Sequence, residues 1–295
     1  MVENIVVDGS NLAYRTYHAL KAIPEPLVDK QGRPTGLLFG FLRSLAALKK
    51  RFPTHQFHVV WDGSKQRRKA QYAEYKANRS SADIFSDGQM EAIRQCLPCL
   101  GVFQAKNPDE EADDVIASLV RGALRDHKNL IVSTDHDFLQ LVTFTTSLLV
   151  PKVGPRSEMV YDPDRVMEEY GVPPEKILQL RAMLGDTSDN LPGVPTVPSK
   201  LLKGLLKTHG SVQGIFASSM AGLTAKQYEK LRGSKNQVLL NLELMALQDV
   251  PVSVTEADLN VDRVKETLSS YDINPDIIVE AFISGEVNKG FVKTS

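Results

Sequence analysis

The chain has 295 residues and a formal net charge of −1, with 42% hydrophobic and 24% charged residues. This is the composition of an ordinary globular protein with ample apolar material for a core, and the length suits one large domain or one with a smaller companion. No apolar stretch reaches the ~20 residues of a membrane span. The amino-terminal residues lack a signal-peptide pattern, and two cysteines argue against a disulfide scaffold and for a reducing cytoplasm.

The charges are unevenly distributed along the chain. Between Lys65 and Arg79 there are six basic residues and one acid, whereas five of the six residues from Asp109 to Asp114 are carboxylates. A basic run is as often a solvated helix face as a binding surface, so the basic segment alone decides nothing. If the acidic residues bind divalent cations, the formal charge becomes positive and the protein can attract a polyanion.

The first half of the chain alternates short apolar runs with helical patterns. The runs predict strands buried on both faces, and they cover Ile5–Val7, Phe57–Trp61, Leu130–Val132 and Ser147–Val150. Apolar residues at helical spacing predict helices between them, over Leu37–Lys50, Asp87–Leu97 and Ala112–Arg125. This alternation predicts an α/β fold with a mostly parallel sheet flanked by helices.

The second half of the chain favours helices punctuated by glycine and proline. The predicted helices are Pro173–Leu184, Ser199–Thr208, Thr224–Leu231, Asn236–Leu247 and two more between Val261 and Phe282. The change in pattern predicts a domain boundary near residue 172.

Aspartates follow three of the predicted strands. Asp8 and Asp62 come directly after a strand, and Asp135 follows another at a short distance, with Asp137 two residues later. Ligands of open parallel sheets bind at the carboxyl ends of the strands, so these side chains are expected at one edge. A single aspartate in such a place more often caps a turn.

Two further acidic groups have an ordinary structural interpretation when taken alone. Glu111, Asp113 and Asp114 open a predicted helix, whose amino end favours negative charge. Asp186 and Asp189 lie in a polar stretch of turn-forming residues. That stretch lacks the glycine and the late glutamate of a calcium-binding EF-hand loop.

Taken together, these groups indicate a metal site. So many acids at one sheet edge would repel one another, and hard divalent cations with oxygen ligands would relieve the repulsion. Two such ions can activate a water and stabilise the leaving oxygen of a phosphodiester. The candidate ligands are nine carboxylates: Asp8, Asp62, Glu111, Asp113, Asp114, Asp135, Asp137, Asp186 and Asp189.

Six motifs in the same order resemble the bacterial and phage 5′-nuclease family, which includes the 5′→3′ exonuclease domain of DNA polymerase I and phage flap endonucleases. The resemblance runs from about residue 4 to the 280s. The motifs are Val6-Val7-Asp8-Gly9, Leu12-Ala13-Tyr14-Arg15-Thr16, Tyr75-Lys76-Ala77-Asn78-Arg79, Glu111-Ala112-Asp113-Asp114-Val115, Thr134-Asp135-His136-Asp137-Phe138 and Gly185-Asp186-Thr187-Ser188-Asp189-Asn190.

The resemblance implies a Rossmann-like nuclease domain over residues 1–172, with a helical arch at about 65–90. It also implies a helical DNA-binding domain over 173–295, with a helix–three-turn–helix at about 180–210. The five carboxylates from Asp8 to Asp114 would serve a first metal region, and Asp137, Asp186 and Asp189 a second, with Asp135 near both. The implied cofactor is Mg²⁺, for which Mn²⁺ can substitute, with two or more ions bound.

The resemblance further implies residues that contact the substrate near the cleaved bond. Lys76 would contact the scissile phosphate, Arg79 would stabilise the charge that develops there, and Arg15 would be a further phosphate contact. Tyr75 would stack on a base at the strand end, in an arch that also carries Lys69.

Duplex binding is expected on a second surface. Lys200, Lys203 and Lys207 lie on one face of a predicted helix and would bind the phosphate backbone. The family has glycines where this chain has Thr196 and Pro198. Proline removes an N–H and threonine lacks the conformational freedom of glycine, so the family's potassium site and its backbone phosphate contacts are left open.

The sequence therefore predicts a structure-specific nuclease that cleaves DNA at 5′ ends and 5′ flaps, in replication or repair. The expected partner is DNA with flaps, nicks or free ends, and whether RNA primers are also bound is left open. No association with a membrane is expected. The protein is expected to be a monomer in the cytoplasm of a bacterial or phage-infected cell. The alternatives are a PIN-type ribonuclease, a non-catalytic binder of DNA junctions and a calcium-binding structural protein. The preference between exonuclease and flap-endonuclease action is also open.

Overall fold

The computed structural model describes residues 3–78, 88–152 and 157–283. These form two compact units, each built from separate stretches of the chain. The first unit contains residues 3–63, 88–134 and 249–283, and the second contains 64–78, 135–152 and 157–248. Among the helices so described, none is long and apolar enough to cross a membrane.

The strands and helices are numbered along the chain. The strands are β1 (Glu3–Asp8), β2 (Gln56–Trp61), β3 (Phe103–Lys106), β4 (Lys128–Val132), β5 (Thr146–Val150), β6 (Met159–Tyr161), β7 (Gly185–Asp186), β8 (Leu191–Pro192) and β9 (Ser253–Val254). The helices are α1 (Gly9–Leu20), α2 (Gly36–Arg51), α3 (Gln66–Gln71), α4 (Gln89–Cys99), α5 (Ala112–Arg121), α6 (Pro163–Tyr170), α7 (Ile177–Leu184), α8 (Ser199–His209), α9 (Val212–Ala217), α10 (Ala225–Gly233), α11 (Lys235–Met245), α12 (Val261–Ser269) and α13 (Asp276–Ile283). Short 3-10 helices cover His136–Leu141 and Pro174–Lys176.

The sheet of the first unit is mostly parallel, as predicted. Its strand order is β4-β1-β2-β3-β9, in which β1 pairs in parallel with β2 and β4, β2 pairs in parallel with β3, and β9 is antiparallel to β3. Each of β1 and β2 has five buried residues in a row. Continuous apolar runs of this kind are typical of strands covered on both faces.

Helices of the first unit pack around this sheet and one another. α2 contacts α1, α4 and α13, and α5 contacts β1, β2 and β3. The spacing of Leu38, Phe41, Leu42 and Leu45 places all four on the buried side of α2. The Phe41 ring stacks on Trp61 with 5.6 Å between the ring centroids. The core therefore holds the end of β2 firmly against a helix.

The second unit is mainly helical. α7 contacts α8 and α11, and β5 and β6 form an antiparallel hairpin. Asn241 of α11 is fully buried, and its side-chain amide donates to the carbonyls of Ala182 and Pro192, each at 2.9 Å. This side chain fixes α11 to the end of α7 and to β8. The predicted domain boundary near residue 172 stays a prediction, because neither compact unit is a continuous stretch of chain.

Some elements differ from the sequence prediction. α1, β3, β6 and β9 were not predicted, and α5 ends at Arg121 instead of Arg125 because Gly122 takes a non-helical conformation. α1 escapes the apolar pattern because only Gly9, Leu12 and Ala13 of its residues are buried. Its start is fixed by the Asp8 side chain, which accepts from the Asn11 amide as an N-cap.

His58 gives the first unit a pH-dependent stability. Its side chain is fully buried on β2, and burial lowers the pKa of the imidazole from 6.5 to about 4. The unfolded chain therefore takes up this proton first as the pH falls below about 6.5. The stabilisation is fully present above that pH and is lost as the pH falls towards 4.

We predict that the free energy of unfolding falls by about 2 kcal/mol between pH 7 and pH 5 through His58 alone. A His58→Gln variant should lack this part of the pH dependence, while His18→Gln, which changes an exposed histidine on α1, should keep it. Urea unfolding at both pH values measures the effect. Equal pH dependence in wild type and His58→Gln would contradict the assignment.

Candidate functional site

Asp8 ends β1 and is buried, with both carboxylate oxygens engaged. Oδ1 accepts from the Asn11 amide at 2.9 Å, and Oδ2 accepts from the Ser133 hydroxyl at 2.9 Å. The first contact caps α1, and the second joins β1 to the chain that leaves β4. This places Asp8 at the carboxyl end of the parallel sheet, where the sequence predicted it.

Asp62 links the end of β2 to the start of α5. Its Oδ1 accepts from the Ala112 amide at 2.8 Å, and its own amide donates to the Ser10 hydroxyl at 2.9 Å. Glu111 is the residue before α5, and Asp113 and Asp114 lie in its first turn. The predicted acids of the first unit thus lie at the carboxyl ends of β1 and β2 and at the amino end of α5.

Arg15 on α1 lies within reach of the charge on Asp8. Burial lowers the pKa of the guanidinium, and the Asp8 carboxylate opposes that shift. Its predicted role as a phosphate contact stays a prediction.

In the second unit, Arg181 of α7 holds two of the predicted ligands together. Its Nε donates to Asp137 Oδ1 at 2.5 Å, and its Nη2 donates to Asp186 Oδ2 at 2.7 Å. The Arg181 side chain is only 17% exposed. A guanidinium in such surroundings forms strong charge-assisted hydrogen bonds, so this contact sets the positions of both carboxylates.

Asp186 lies on β7, in a tight hairpin with β8. Its second oxygen, Oδ1, accepts from the Ser188 amide and hydroxyl, each at 2.7 Å. Gly185 has φ +78°, and a Cβ on it would lie 2.3 Å from the Gly193 nitrogen. Only glycine permits this approach of the two backbones, which explains why glycine precedes Asp186.

Asp135 and Asp137 open the 3-10 helix that follows β4 in the chain. Asp135 Oδ1 accepts from the Asp137 amide at 2.8 Å. Burial and the neighbouring Asp135 charge raise the pKa of Asp137 to about 7, although Arg181 opposes the shift. For Asp186, burial favours the neutral form, but the Ser188 hydrogen bond and the Arg181 charge outweigh it and lower the pKa. The two aspartates thus differ because burial dominates at Asp137, whereas hydrogen bonds and charge dominate at Asp186.

The segment predicted as a DNA-contacting arch is partly buried in the structure. Tyr75 is 3% exposed and Lys76 is 7% exposed, and Lys76 Nζ lies 3.7 Å from Asp189 Oδ2. Lys69 on α3 is exposed, and Arg79 lies outside the described residues. The predicted DNA contacts of these residues stay predictions.

The predicted duplex-binding helix is α8. Leu202, Leu205 and Leu206 form its buried side, while Lys200 and Lys207 are exposed and Lys203 is half-buried. The three lysines recur at the spacing of one helical face, and their predicted contact with a phosphate backbone stays a prediction.

The residues that replace the family's glycines take up distinct roles before α8. Thr196 has φ +62°, which is a left-handed conformation that glycine adopts easily and a β-branched residue does not. Pro198 is the N-cap residue of α8. The chain thus keeps an unusual backbone at 196 without glycine, and the implied potassium site stays open.

The fit of these groups to divalent cations rests on their chemistry. Carboxylate oxygens are the ligands that Mg²⁺ prefers, and the predicted ligands of both units supply such oxygens. In the conformation shown, no three His, Cys, Asp or Glu side chains of the described residues are arranged to hold a metal ion. In the second unit the oxygens of Asp137 and Asp186 instead meet Arg181 and Ser188.

Arg181 is the residue of this site that the sequence analysis missed. The signal was a single arginine in an otherwise apolar helix, Ile177–Leu184, with one glutamine. Charged residues are rarely buried without a partner, and an acid lies five residues further at Asp186. Asp137, in contrast, is remote in sequence, and only the fold brings it to Arg181.

Comparison with known proteins decides the family. Residues 3–171 match the family model for the N-terminal, resolvase-like domain of 5′-3′ exonucleases. Residues 172–267 match the family model for the C-terminal SAM fold of the same enzymes. The chain belongs to the 5′-3′ exonuclease family. This confirms the family resemblance, the α/β fold of the amino-terminal part and the helical carboxyl-terminal part.

Relatives within this family differ in length. The chain is 34% identical over 266 residues to the 5′-3′ exonuclease of Aquifex aeolicus. This match covers 88% of this chain and 86% of the relative. It is 34% identical over 261 residues to DNA polymerase I of Mycobacterium tuberculosis, with 87% of this chain but only 28% of the polymerase covered. The chain therefore spans between about a quarter and a third of the length of the polymerase relatives it matches.

A solved structure of the bacteriophage T5 D15 protein, co-crystallised with metal ions, shares the fold. The TM-score is 0.65 with 21% identity, and the match covers 96% of this chain and 98% of the T5 chain. At this identity the likeness concerns the fold alone.

We predict that Thr196→Gly stabilises the protein by about 1 kcal/mol, because glycine removes the cost of the left-handed conformation. Val197→Gly in the same loop, which removes a half-buried side chain at a residue without positive φ, should give no such gain. Thermal unfolding of the three proteins measures the difference. A Thr196→Gly variant that is less stable than wild type would show that the threonine side chain contributes more than the strain costs.

Proposed function

We propose that this protein is a structure-specific 5′-nuclease that hydrolyses phosphodiesters at 5′ ends and 5′ flaps of DNA. The carrying observation is the position of the first unit's acids in a chain that belongs to the 5′-3′ exonuclease family. Asp8 and Asp62 lie at the carboxyl ends of neighbouring parallel strands, and Asp62 is bonded to the amino end of the helix that carries Asp113 and Asp114. Substrates of open parallel sheets bind at this edge.

The proposed cofactor is Mg²⁺, for which Mn²⁺ can substitute, with two or more ions. Divalent ions at such carboxylates supply a nucleophilic water at neutral pH and stabilise charge on the phosphate. Support comes from the oxygen donors of this chain and from the T5 D15 protein, a relative in fold that was co-crystallised with metal ions. The proposed ligands are those of the first unit, Asp8, Asp62, Glu111, Asp113 and Asp114, and those of the second, Asp135, Asp137, Asp186 and Asp189.

The chain's own residues position the substrate in this proposal. Lys76 and Arg79 carry positive charge towards the scissile phosphate, and Arg15 is a further phosphate contact. Tyr75 stacks on a base once the segment that buries it in this structure has opened. Lys69 and the lysines of α8 bind the backbone, so recognition depends on charge and DNA shape more than on base sequence. A relative in fold, the T5 D15 flap endonuclease, has been solved in a complex with DNA and metal ions, which supports DNA as the substrate.

The proposed biological setting is DNA replication or repair in the cytoplasm, with the protein acting as a monomer. The Aquifex aeolicus relative carries the name 5′-3′ exonuclease, which supports a role in processing DNA. DNA with flaps, nicks or free ends is the proposed partner.

We predict that the protein cleaves a 5′-flap DNA in Mg²⁺ and that a chelator abolishes cleavage. Asp137→Ala should lower the turnover rate by about two orders of magnitude or more while substrate binding changes little, because it removes a proposed metal ligand. Asp164→Ala, which removes an exposed acid of α6, is the matched control and should behave like wild type. Cleavage of labelled oligonucleotides measures all three proteins.

Several outcomes would count against this function. Protein that leaves flap, nicked and free-ended DNA uncut in both Mg²⁺ and Mn²⁺ would make it a binder of DNA junctions or a structural protein. Cleavage of single-stranded RNA with no cleavage of these DNA substrates would favour a ribonuclease.

We predict that Lys200→Gln combined with Lys207→Gln weakens duplex binding equally for unrelated base sequences. The slope of log K against log salt concentration should become shallower by about 0.9 for each phosphate that the variant no longer neutralises. Lys265→Gln, an exposed position on α12, is the control and should leave the slope unchanged. Fluorescence anisotropy over a range of salt concentrations measures the slope, and an unaltered slope in the double variant would remove α8 from the DNA-binding surface.

A further inference from the structure

Arg181 makes an unusual contact with the acids of the second unit. A guanidinium commonly places two parallel N–H groups on the two oxygens of one carboxylate. Here the two N–H groups go to different carboxylates, with Nε on Asp137 at 2.5 Å and Nη2 on Asp186 at 2.7 Å. One cation therefore lies between two acids that come from distant parts of the chain.

The oxygens that Arg181 occupies are those that a metal ion would need. Asp186 uses Oδ2 for Arg181 and Oδ1 for the Ser188 amide and hydroxyl. Asp137 uses Oδ1 for Arg181. Oδ1 already accepts two short hydrogen bonds, so direct coordination by Asp186 falls to Oδ2, the oxygen that Arg181 contacts, and the guanidinium charge would lie close to the ion and repel it.

The formal charges of this group leave room for one divalent cation, and a second would favour the loss of Arg181. Four acids of this group, Asp135, Asp137, Asp186 and Asp189, carry four formal negative charges, whereas Arg181 and Lys76 supply two positive charges. The formal excess of two negative charges equals the charge of one divalent cation. A second ion in the same place would leave an excess of two formal positive charges, which the departure of Arg181 would reduce to one.

We propose that Arg181 is an exchangeable counter-ion of the second unit's carboxylates, which competes with divalent cations for Asp137 and Asp186. In the metal-free protein its guanidinium holds the two acids together and prevents their repulsion. On metal binding the two Arg181 hydrogen bonds break, and the freed oxygens become ligands. Arg181 is therefore a positioning residue that sets how tightly this unit binds metal. The inference rests on the proposed metal dependence and goes beyond it.

The alternative is that Arg181 stays bound to both acids when metal binds, and it predicts the opposite effect of removing Arg181 on metal affinity. If Arg181 kept its hydrogen bonds in the metal-bound protein, its main effect would be to preorganise Asp137 and Asp186, and its removal would weaken metal binding. Competition requires that its removal strengthen metal binding, because one positive charge close to the ion disappears and two oxygens become available.

The test compares Arg181→Gln with Arg165→Gln. Arg165 forms an ion pair with Glu168 in the same unit, so its replacement changes the net charge equally without touching Asp137 or Asp186. All proteins carry Asp8→Asn and Asp113→Asn, which weaken the first unit's acidic group so that bound Mn²⁺ reports on the second. Free Mn²⁺ is measured by electron paramagnetic resonance, and the melting temperature is measured with chelator and with Mn²⁺.

The expected result is a Kd for Mn²⁺ about tenfold or more lower in Arg181→Gln than in its parent. Its melting temperature in chelator should fall, because buried Asp137 and half-buried Asp186 lose their counter-ion, and added Mn²⁺ should raise it by more than in the parent. Arg165→Gln should match the parent in all of these values. A Kd in Arg181→Gln that is equal to or higher than in the parent overturns the proposal.

A second variant covers the case in which Arg181→Gln does not fold without metal. Arg181→Lys keeps the charge but cannot bridge the two acids with a planar guanidinium. This variant should therefore bind Mn²⁺ more tightly than the parent, and less tightly than the affinity expected for Arg181→Gln. Weaker binding in Arg181→Lys than in the parent overturns the proposal in the same way.

The experiment separates this inference from the proposed function. If protein without any of these substitutions binds no Mn²⁺ at millimolar concentration, the metal-dependent function and the competition by Arg181 both fail. If it binds Mn²⁺ and the Arg181 variants bind no more tightly than their parent, only the competition fails.

Discussion

Repulsion between carboxylates held in partly buried surroundings is the constraint on which this site depends. Each such group must meet hydrogen-bond donors or positive charge, because the interior screens charge poorly. In the first unit a backbone amide at a helix start supplies a donor to a buried acid, since Asp8 accepts from Asn11. In the second unit, Arg181 and Lys76 supply charge. The same acids that make the protein a candidate nuclease therefore shape the local fold.

Much of this was visible in the sequence. Apolar runs rich in β-branched residues predicted the buried strands β1 and β2, because such runs are typical of parallel strands covered on both faces. The aspartates that follow these runs were predicted at the carboxyl ends of the strands, where Asp8 and Asp62 lie. The helices with wide apolar faces, such as α2 and α8, were also predicted almost to their ends. α1 was missed because its buried side is narrow, and the short edge strands carry too few residues for a periodic signal.

Interactions between distant residues were not predictable from pattern. The basic segment before residue 79 suggested exposed DNA contacts, yet Tyr75 and Lys76 are buried and Lys76 lies near Asp189. The hydrogen bonds of Arg181 to two acids depend on a helix, a hairpin and a 3-10 helix that meet only in the folded unit. Likewise, the sequence showed that glycine is absent at 196, but only the structure shows that the left-handed backbone remains.

The most direct test of the account is a crystal structure of the protein grown with Mn²⁺, with anomalous diffraction to locate the ions. We expect manganese to be bound directly or through water to Asp8 and the acids at the start of α5, and to Asp137 and Asp186 with Arg181 displaced. A fully loaded crystal with manganese only at unrelated surface sites would contradict it.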